Sequence, residues 1–445
     1  MWSKSLQTVI TLSIVLFAAG CGSGEPVSTG ASKAPDSGGA DAKTAVKENT
    51  DPVELTLFMN NLISDADLQR VLFEPLKKKY PYITVKPTFK GGKETIDNWV
   101  VSGNPPDLFN YYAGDMGVLV QLGLVEDITP LAKKHNIDLS RFQPAMLDSV
   151  RAVSGKGELY ALPRYSNTVA LYYNKDIFDK FGVSYPKDGM TWDQTIELAK
   201  KLTRADGGKN YYGLSFDNLL RPGYSFSLDA LDPKTNKAAV NSNDWRRVMQ
   251  LNRDIFSIPG NLPNPVKLVN SGHTVFTANM DLAMLASVNN FRWIEPAAEK
   301  GLNWDMVQYP YFPDKPNIGG MVDVHAIGVA KTSKHKDAAM KVLELMTSDE
   351  VQLIAARSGA ASPLSNPEMQ KQFGADVAFL KGKNVQAFFK SKPAPTPQFS
   401  NYRTEAYSVF NPLYLDYVSG KMDLNTFIRT AEEAINKKIE EVAKK

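Results

Sequence analysis

The sequence predicts an α/β fold built from at least two lobes, on three observations. A chain of 445 residues exceeds what one hydrophobic core comfortably organises. Val53, Leu55, Leu57 and Met59 alternate as in a strand; Leu68, Val71, Leu72 and Leu76 then fall on one helical face, and Ile83 and Val85 alternate again. Such a strand–helix–strand unit predicts a parallel sheet. The composition is that of an ordinary globular protein, 43% hydrophobic and 22% charged. A net charge of +3 with no basic block argues against nucleic acid as a partner.

The first fifty residues read as export signal and tether. Lys4 supplies a positive start, and 9–17 is an apolar run too short to span a bilayer comfortably. Ala18, Ala19 and Gly20 follow, then Cys21, the only cysteine. A lone exported cysteine has no intramolecular disulfide partner. Ala19-Gly20-Cys21 resembles the bacterial lipobox, with Ala18 where Leu is usual. That resemblance implies a signal peptide over 1–20, removal of which leaves Cys21 lipidated. Residues 22–51 are rich in Gly, Ser, Ala, Lys and Asp and nearly free of large apolar side chains. They cannot bury enough surface to offset ordering entropy and read as a flexible tether.

Beyond the tether, the strand at 53–59 is followed by a helix over 65–79, which Pro81 stops. Pro105-Pro106 break the chain before a short buried strand at Asp107-Leu108-Phe109. Residues 118–124 look helical, with Gly123 as terminator. Thr191 and Gln194 form a capping box ahead of Ile196, Leu198, Ala199 and Leu202. A helix runs over 334–346, Ser348 caps another, and 424–442 is amphipathic. No repeat of 20–50 residues occurs.

Five segments in order resemble extracellular solute-binding protein family 1, the group that includes maltose-type and other oligosaccharide-binding lipoproteins. The first is Phe73-Glu74-Pro75-Leu76 through Tyr80-Pro81 to Val85. The second is Pro106-Asp107-Leu108 with Gln121-Leu122-Gly123-Leu124. The third runs from Gly157-Glu158-Leu159-Tyr160 and Pro163 to Leu171-Tyr172-Tyr173-Asn174-Lys175-Asp176 and Thr191-Trp192. The fourth is Ala283-Met284 followed by Asn290-Phe291-Arg292-Trp293, where the family usually has Gly-x-Trp. The fifth is Gly319-Gly320 with Lys331-Thr332-Ser333-Lys334, continued by Gln352 and Pro363.

The resemblance implies a periplasmic-binding-protein-like fold: two α/β lobes joined by a multi-strand hinge, with the ligand cleft between them. The lobes would be 52–163 with 320–363, and 164–319 with 364–445. The chain would cross near 163–168, 317–320 and 362–366. The function implied is that of a monomeric extracytoplasmic lipoprotein that captures a carbohydrate, gives it to ABC-transporter permease subunits, and touches the membrane only through its anchor.

A sugar offers hydroxyl edges and apolar C–H faces, so its site needs bidentate polar groups and aromatic rings on loops after strands. Asn60, Tyr112 and Asp115 follow strands and fit that need; for Asn60 a turn and for Asp115 a helix cap are the alternatives. Arg164 and Tyr165 follow Pro163 at the first crossing. Asp217 and Asn218 follow a strand at 212–216, as hydroxyl binders or as a turn. Asn290, Phe291 and Trp293 match the family's aromatic platform, with Phe291 and Trp293 both candidates for the ligand-facing ring. Gly320 allows close backbone approach beside Asp323, and the resemblance implies that Tyr402 and Arg403 lie in a late segment that closes the pocket. Trp192, next to its helix cap, reads as core.

His135, His273, His325 and His335 lack metal-ligand spacing, and no nucleophile elbow, phosphate loop or dinucleotide fingerprint occurs. No cofactor or metal is expected, and the chain reads as a binder, not an enzyme. The rival classes are a secreted glycoside hydrolase or lyase, whose paired carboxylates need no local motif, and a binder of a non-sugar solute.

Overall fold

The computed structural model describes residues 50–60, 63–91, 94–154 and 156–444. The export signal, Cys21, the tether up to residue 49, and Asn61 lie outside the described residues. Among the described residues, twelve strands form three sheets. In chain order they are β1 (Val53–Met59), β2 (Ile83–Phe89), β3 (Leu108–Tyr112), β4 (Leu162–Asn167), β5 (Val169–Asn174), β6 (Arg204–Asp206), β7 (Lys209–Phe216), β8 (Leu282–Val288), β9 (Trp304–Gln308), β10 (Ile318–Met321), β11 (Asp323–Val329) and β12 (Lys392–Ala394).

The first lobe is built on the sheet β2-β1-β3-β11-β4. β1 is parallel to β2 and β3, whereas β11 is antiparallel to β3 and β4. The expected strand–helix–strand unit is present. Its helix is α over Asp65–Leu68, π over Gln69–Phe73 and α again over Glu74–Lys79. Pro75 has no N–H to donate and its ring crowds the carbonyl four residues back; the widened turn before it relieves that clash. Leu68, Leu72 and Leu76 pack into one core with Leu55, Leu57, Phe109 and Ile327. Each such burial contributes about 1.5–3 kcal/mol. Asp107 ties this lobe together. It accepts from Thr56 N at 2.9 Å, Thr56 Oγ1 at 3.0 Å and Ser333 Oγ at 2.7 Å, joining β1, the start of β3 and the turn after β11.

The second lobe is built on β6-β7-β8-β5-β9. Successive strand side chains point to opposite faces, so β5 feeds two cores. Leu171 and Tyr173 join Phe178, Trp192 and Phe216, while Ala170 and Tyr172 join Phe276, Trp304 and Phe388. The capping box is present: Thr191 Oγ1 accepts from Gln194 N at 3.3 Å and Gln194 Oε1 accepts from Thr191 N at 2.9 Å. Trp192 then lies fully buried against Tyr309, ring centroids 5.2 Å apart. The remaining expected helices are Gly117–Gln121, Lys336–Met346, Asp349–Arg357 and Leu424–Ala443, and Gly123 ends the first of them in the left-handed region at φ 65°.

The chain passes from the first sheet to the second between Asn167 and Val169. It returns through β10, which pairs with β12, into β11. A third segment follows the helix Asp349–Arg357. Ser166 N donates to Ala361 O at 3.0 Å, and Gln143 N to Pro363 O at 2.8 Å, before Phe373 enters a second-lobe core. Among the described residues, no helix is long and apolar enough to cross a membrane.

Candidate functional site

Strand register gathers the first lobe's polar residues. His325 of β11 sits opposite Tyr112 of β3 and Tyr165 of β4. The three rings therefore form a row, with His325 5.9 Å from Tyr112 and stacked on Tyr165 at 4.5 Å and 3°. A register shift opposite His325 and Ala326 makes Arg164 an extra residue in β4. Its guanidinium lies 4.5 Å from the Tyr165 ring centroid and its Nε donates to Asn110 Oδ1 at 2.7 Å. Asn60 leaves β1 with its N–H donated to Asn110 O at 3.0 Å. Asp115 stands three residues past β3, half-buried.

The second lobe answers with two arginines. Arg221 opens the 3₁₀ segment Arg221–Phe226 and Arg403 opens the helix Arg403–Val418. Arg221 pairs with Asp217, one turn back, and reaches Asp323 at 3.1 Å. Arg403 reaches Asp115 at 3.0 Å and Asp229 at 3.3 Å, and Tyr407 donates its hydroxyl to Asp229 at 2.6 Å. Gly320 has φ 153°, a conformation that favours glycine, and a Cβ there would stand 3.5 Å from Tyr224 Cβ, so β10 packs against the base of that side chain.

Burial sets the electrostatics. It raises the Asp115 carboxyl above its usual range, against the opposing pull of Arg403. It drives His325 down to about 4, leaving the imidazole neutral at pH 7. Tyr112 is pushed well above the usual phenol range by burial and then by Asp323. Asn60 Oδ1, His325 Nδ1 and Asp229 Oδ2 are buried with no hydrogen-bond partner among the described residues. Beside Arg164 and Tyr165 a cavity of about 680 Å³ opens toward Asn289 and Arg292 of the facing wall.

Of the residues singled out from sequence, the fold brings together Asn60, Tyr112, Asp115, Arg164, Tyr165, Asp217, Gly320, Asp323 and Arg403. The others it uses differently. Asn218 Oδ1 accepts from Leu220 N at 2.9 Å, which is the turn alternative. Asn290 Nδ2 donates to Ser287 Oγ at 2.5 Å. Phe291 is 8% exposed, packed among Trp304, Phe373, Phe379 and Phe388. Its ring faces are thus taken by core neighbours. Trp293 is the outward ring of the pair, 43% exposed, with the Arg292 guanidinium 4.6 Å from its centroid. Tyr402 turns to a separate hollow of about 270 Å³ beside Gln121 and Val153. Sequence reasoning missed Arg221, Tyr224, Asp229, His325 and Tyr407. Two signals existed: His325 lies two residues after Asp323, on the same strand face, and Arg221 lies one helical turn after Asp217.

A model of the bacterial extracellular solute-binding protein family matches residues 60–353, about two thirds of the chain. A mannitol-binding protein of Pseudomonas aeruginosa is 44% identical over 70 residues, 16% of this chain and 15% of that one. An sn-glycerol-3-phosphate-binding periplasmic protein of Escherichia coli is 29% identical over 138 residues, 30% of this chain and 31% of that one. These matches thus span under a third of the curated relatives' own length. Among solved structures, an ABC substrate-binding protein of Listeria monocytogenes in complex with cycloalternan aligns over 87% of this chain and 99% of that chain, with a TM-score of 0.72 at 21% identity. The fold is therefore the two-lobed α/β architecture of periplasmic binding proteins, and the chain belongs to the bacterial extracellular solute-binding protein family.

Proposed function

We propose that this protein is the extracytoplasmic substrate-binding lipoprotein of an ABC importer. It captures a carbohydrate, most naturally an oligosaccharide, between its lobes and delivers it to the membrane permease. One observation carries the reading: Tyr112, Asp115 and Asp323 of the first lobe face Arg221, Tyr224 and Arg403 of the second. Carboxylate and guanidinium groups bind vicinal hydroxyls in bidentate fashion, and rings pack on C–H faces. The bound cycloalternan of the Listeria protein supports the carbohydrate class. The lobes exchange chain at 167–169, 321–323 and 361–365, and closing them over the solute is hinge motion around a ligand. Capture and release need no bond to be made or broken. Lipidated Cys21 and the tether to residue 51 hold the body at the outer face of the cell membrane.

The test is a thermal-shift screen of the purified protein against a sugar panel. A ligand at one hundred times its dissociation constant stabilises by about 2.7 kcal/mol. A panel of neutral and acidic sugars that leaves the melting curve unmoved defeats the proposal, and steady release of reducing ends replaces it with hydrolysis. The anchor is checked separately: Cys21→Ala should move the protein from the membrane fraction to the soluble one.

A further inference from the structure

Arg164 is the buried cation of this cleft that the protein does not balance. It is 8% exposed, like Arg221. Arg221 holds Asp217 and Asp323, and Arg403 holds Asp115 and Asp229. Arg164 has no such carboxylate among the described residues. Its partners are the neutral Asn110 amide and the Tyr165 side chain. A guanidinium on a cavity wall, largely shielded by protein, gains most from an oppositely charged group that meets it there in good geometry. An arginine does not escape by losing its proton.

The surroundings say where the missing charge goes. Arg164 lines the interlobe cavity of about 680 Å³, together with Asn167, Asn289 and Ser358. Two acids also line it, Asp67, which accepts from Ser64 Oγ at 2.7 Å, and the solvent-exposed Glu295, and neither forms an ion pair with Arg164. Arg292 and Glu295, both exposed on the facing wall, offset one another in charge. The Nε bond to Asn110 fixes the plane of the guanidinium, and His325 beside it contributes no charge at neutral pH.

We propose that the solute carries an oxyanion, a carboxylate or phosphate borne on a sugar or polyol, and that Arg164 receives it. The inference rests on the solute-binding reading above and narrows its substrate class. The planar guanidinium fork matches the two oxygens of a carboxylate or phosphate, whereas a neutral hydroxyl leaves the cation uncompensated.

Matched probes test it by calorimetric titration of the full chain. Glucose, galactose and mannose, with their di- and trisaccharides, are each compared with the 6-carboxylate, its methyl ester and the 6-phosphate. The expected result is an acidic probe that binds at least tenfold tighter than both its neutral parent and, for the carboxylate, the ester; the two acidic arms tell carboxylate from phosphate. Arg164→Gln should abolish that preference and Arg164→Lys should keep part of it. If Arg164→Gln fails to fold, the ester comparison on the native protein decides alone. Neutral sugars that bind as tightly as their acidic counterparts overturn this inference and leave sugar capture standing. Binding of no probe, neutral or acidic, overturns both.

Discussion

Asp115 of the first lobe and Arg403 of the second meet at 3.0 Å across the cleft, and Asp323 and Arg221 repeat the arrangement at 3.1 Å. In both pairs the first lobe supplies the carboxylate and the second the guanidinium. On the proposed reading, the groups that would grip hydroxyls are thus the same groups that hold the lobes together. Asp115 is the more accessible acid, its side chain 38% exposed, and Arg403 keeps Asp229 when Asp115 is changed. Asp115→Asn should therefore alter the unliganded stability by about 1 kcal/mol or less. It should weaken solute binding about tenfold to a hundredfold, the worth of a hydrogen bond to a charged group. Titration calorimetry reads the effect, and an unchanged dissociation constant would remove Asp115 from the site.

His325 gives the protein an acid-side weakness. Its folded value is about 4, lowered from 6.5 chiefly by burial, with Asp323 pulling the other way. An unfolded chain takes up this proton near 6.5, the folded one only near 4. Between those values the unfolded state binds more protons, so stability rises with pH across that window. The contribution is fully present above pH 6.5 and is lost as pH falls toward 4. At 1.36 kcal/mol per pKa unit it amounts to about 3 kcal/mol. Urea unfolding at pH 7, 5.5 and 4 should show this loss, and His325→Gln should flatten it. A variant with the wild-type pH dependence would assign the loss to other groups.

Phe291 belongs to the core, where it touches four other rings. Phe291→Ala should cost about 3–5 kcal/mol through lost burial and the cavity left behind. The ligand-induced shift should survive at temperatures where the variant remains folded. A variant with native melting but no ligand response would restore Phe291 to the platform role that its place in the sequence suggests.

What could be read from the sequence follows the range of the interactions concerned. The Thr191–Gln194 box, the stop at Pro81, the terminator Gly123 and the unit from Val53 to Val85 are local. Each needs only a few neighbouring residues to be right. Asp115 and Arg403 were singled out separately, but nothing in the sequence pairs residues 288 positions apart. Arg221 lies one turn after Asp217, but its pairing with Asp323, 102 positions away, has no local signal. Phe291 and Trp293 are two residues apart on one helix, so their side chains diverge. Which one faces inward depends on where the second sheet lies, and local pattern does not hold that information. His325 was set aside for lacking metal-ligand spacing, yet its place between Tyr112 and Tyr165 comes from cross-strand register, which forms only when β3, β11 and β4 align.

Asp107 offers a test of how the first lobe is held as a scaffold for the cleft. One carboxylate accepts three hydrogen bonds, from Thr56 N, Thr56 Oγ1 and Ser333 Oγ. Asp107→Ala leaves the Thr56 N–H and both hydroxyls to find other partners in a partly buried place. With about 1 kcal/mol or more lost per bond, the total should be about 3 kcal/mol. Asp107→Asn should recover more than half of it. Its amide oxygen still accepts from Thr56, and the Ser333 hydroxyl can rotate to accept from the amide NH2. Denaturant titration of both variants separates shape from charge: recovery in Asp107→Asn means that the geometry of the tie matters most. Equal losses in the two variants mean that the negative charge does, and a native-like Asp107→Ala would show that β1, β3 and the turn after β11 are held by packing alone.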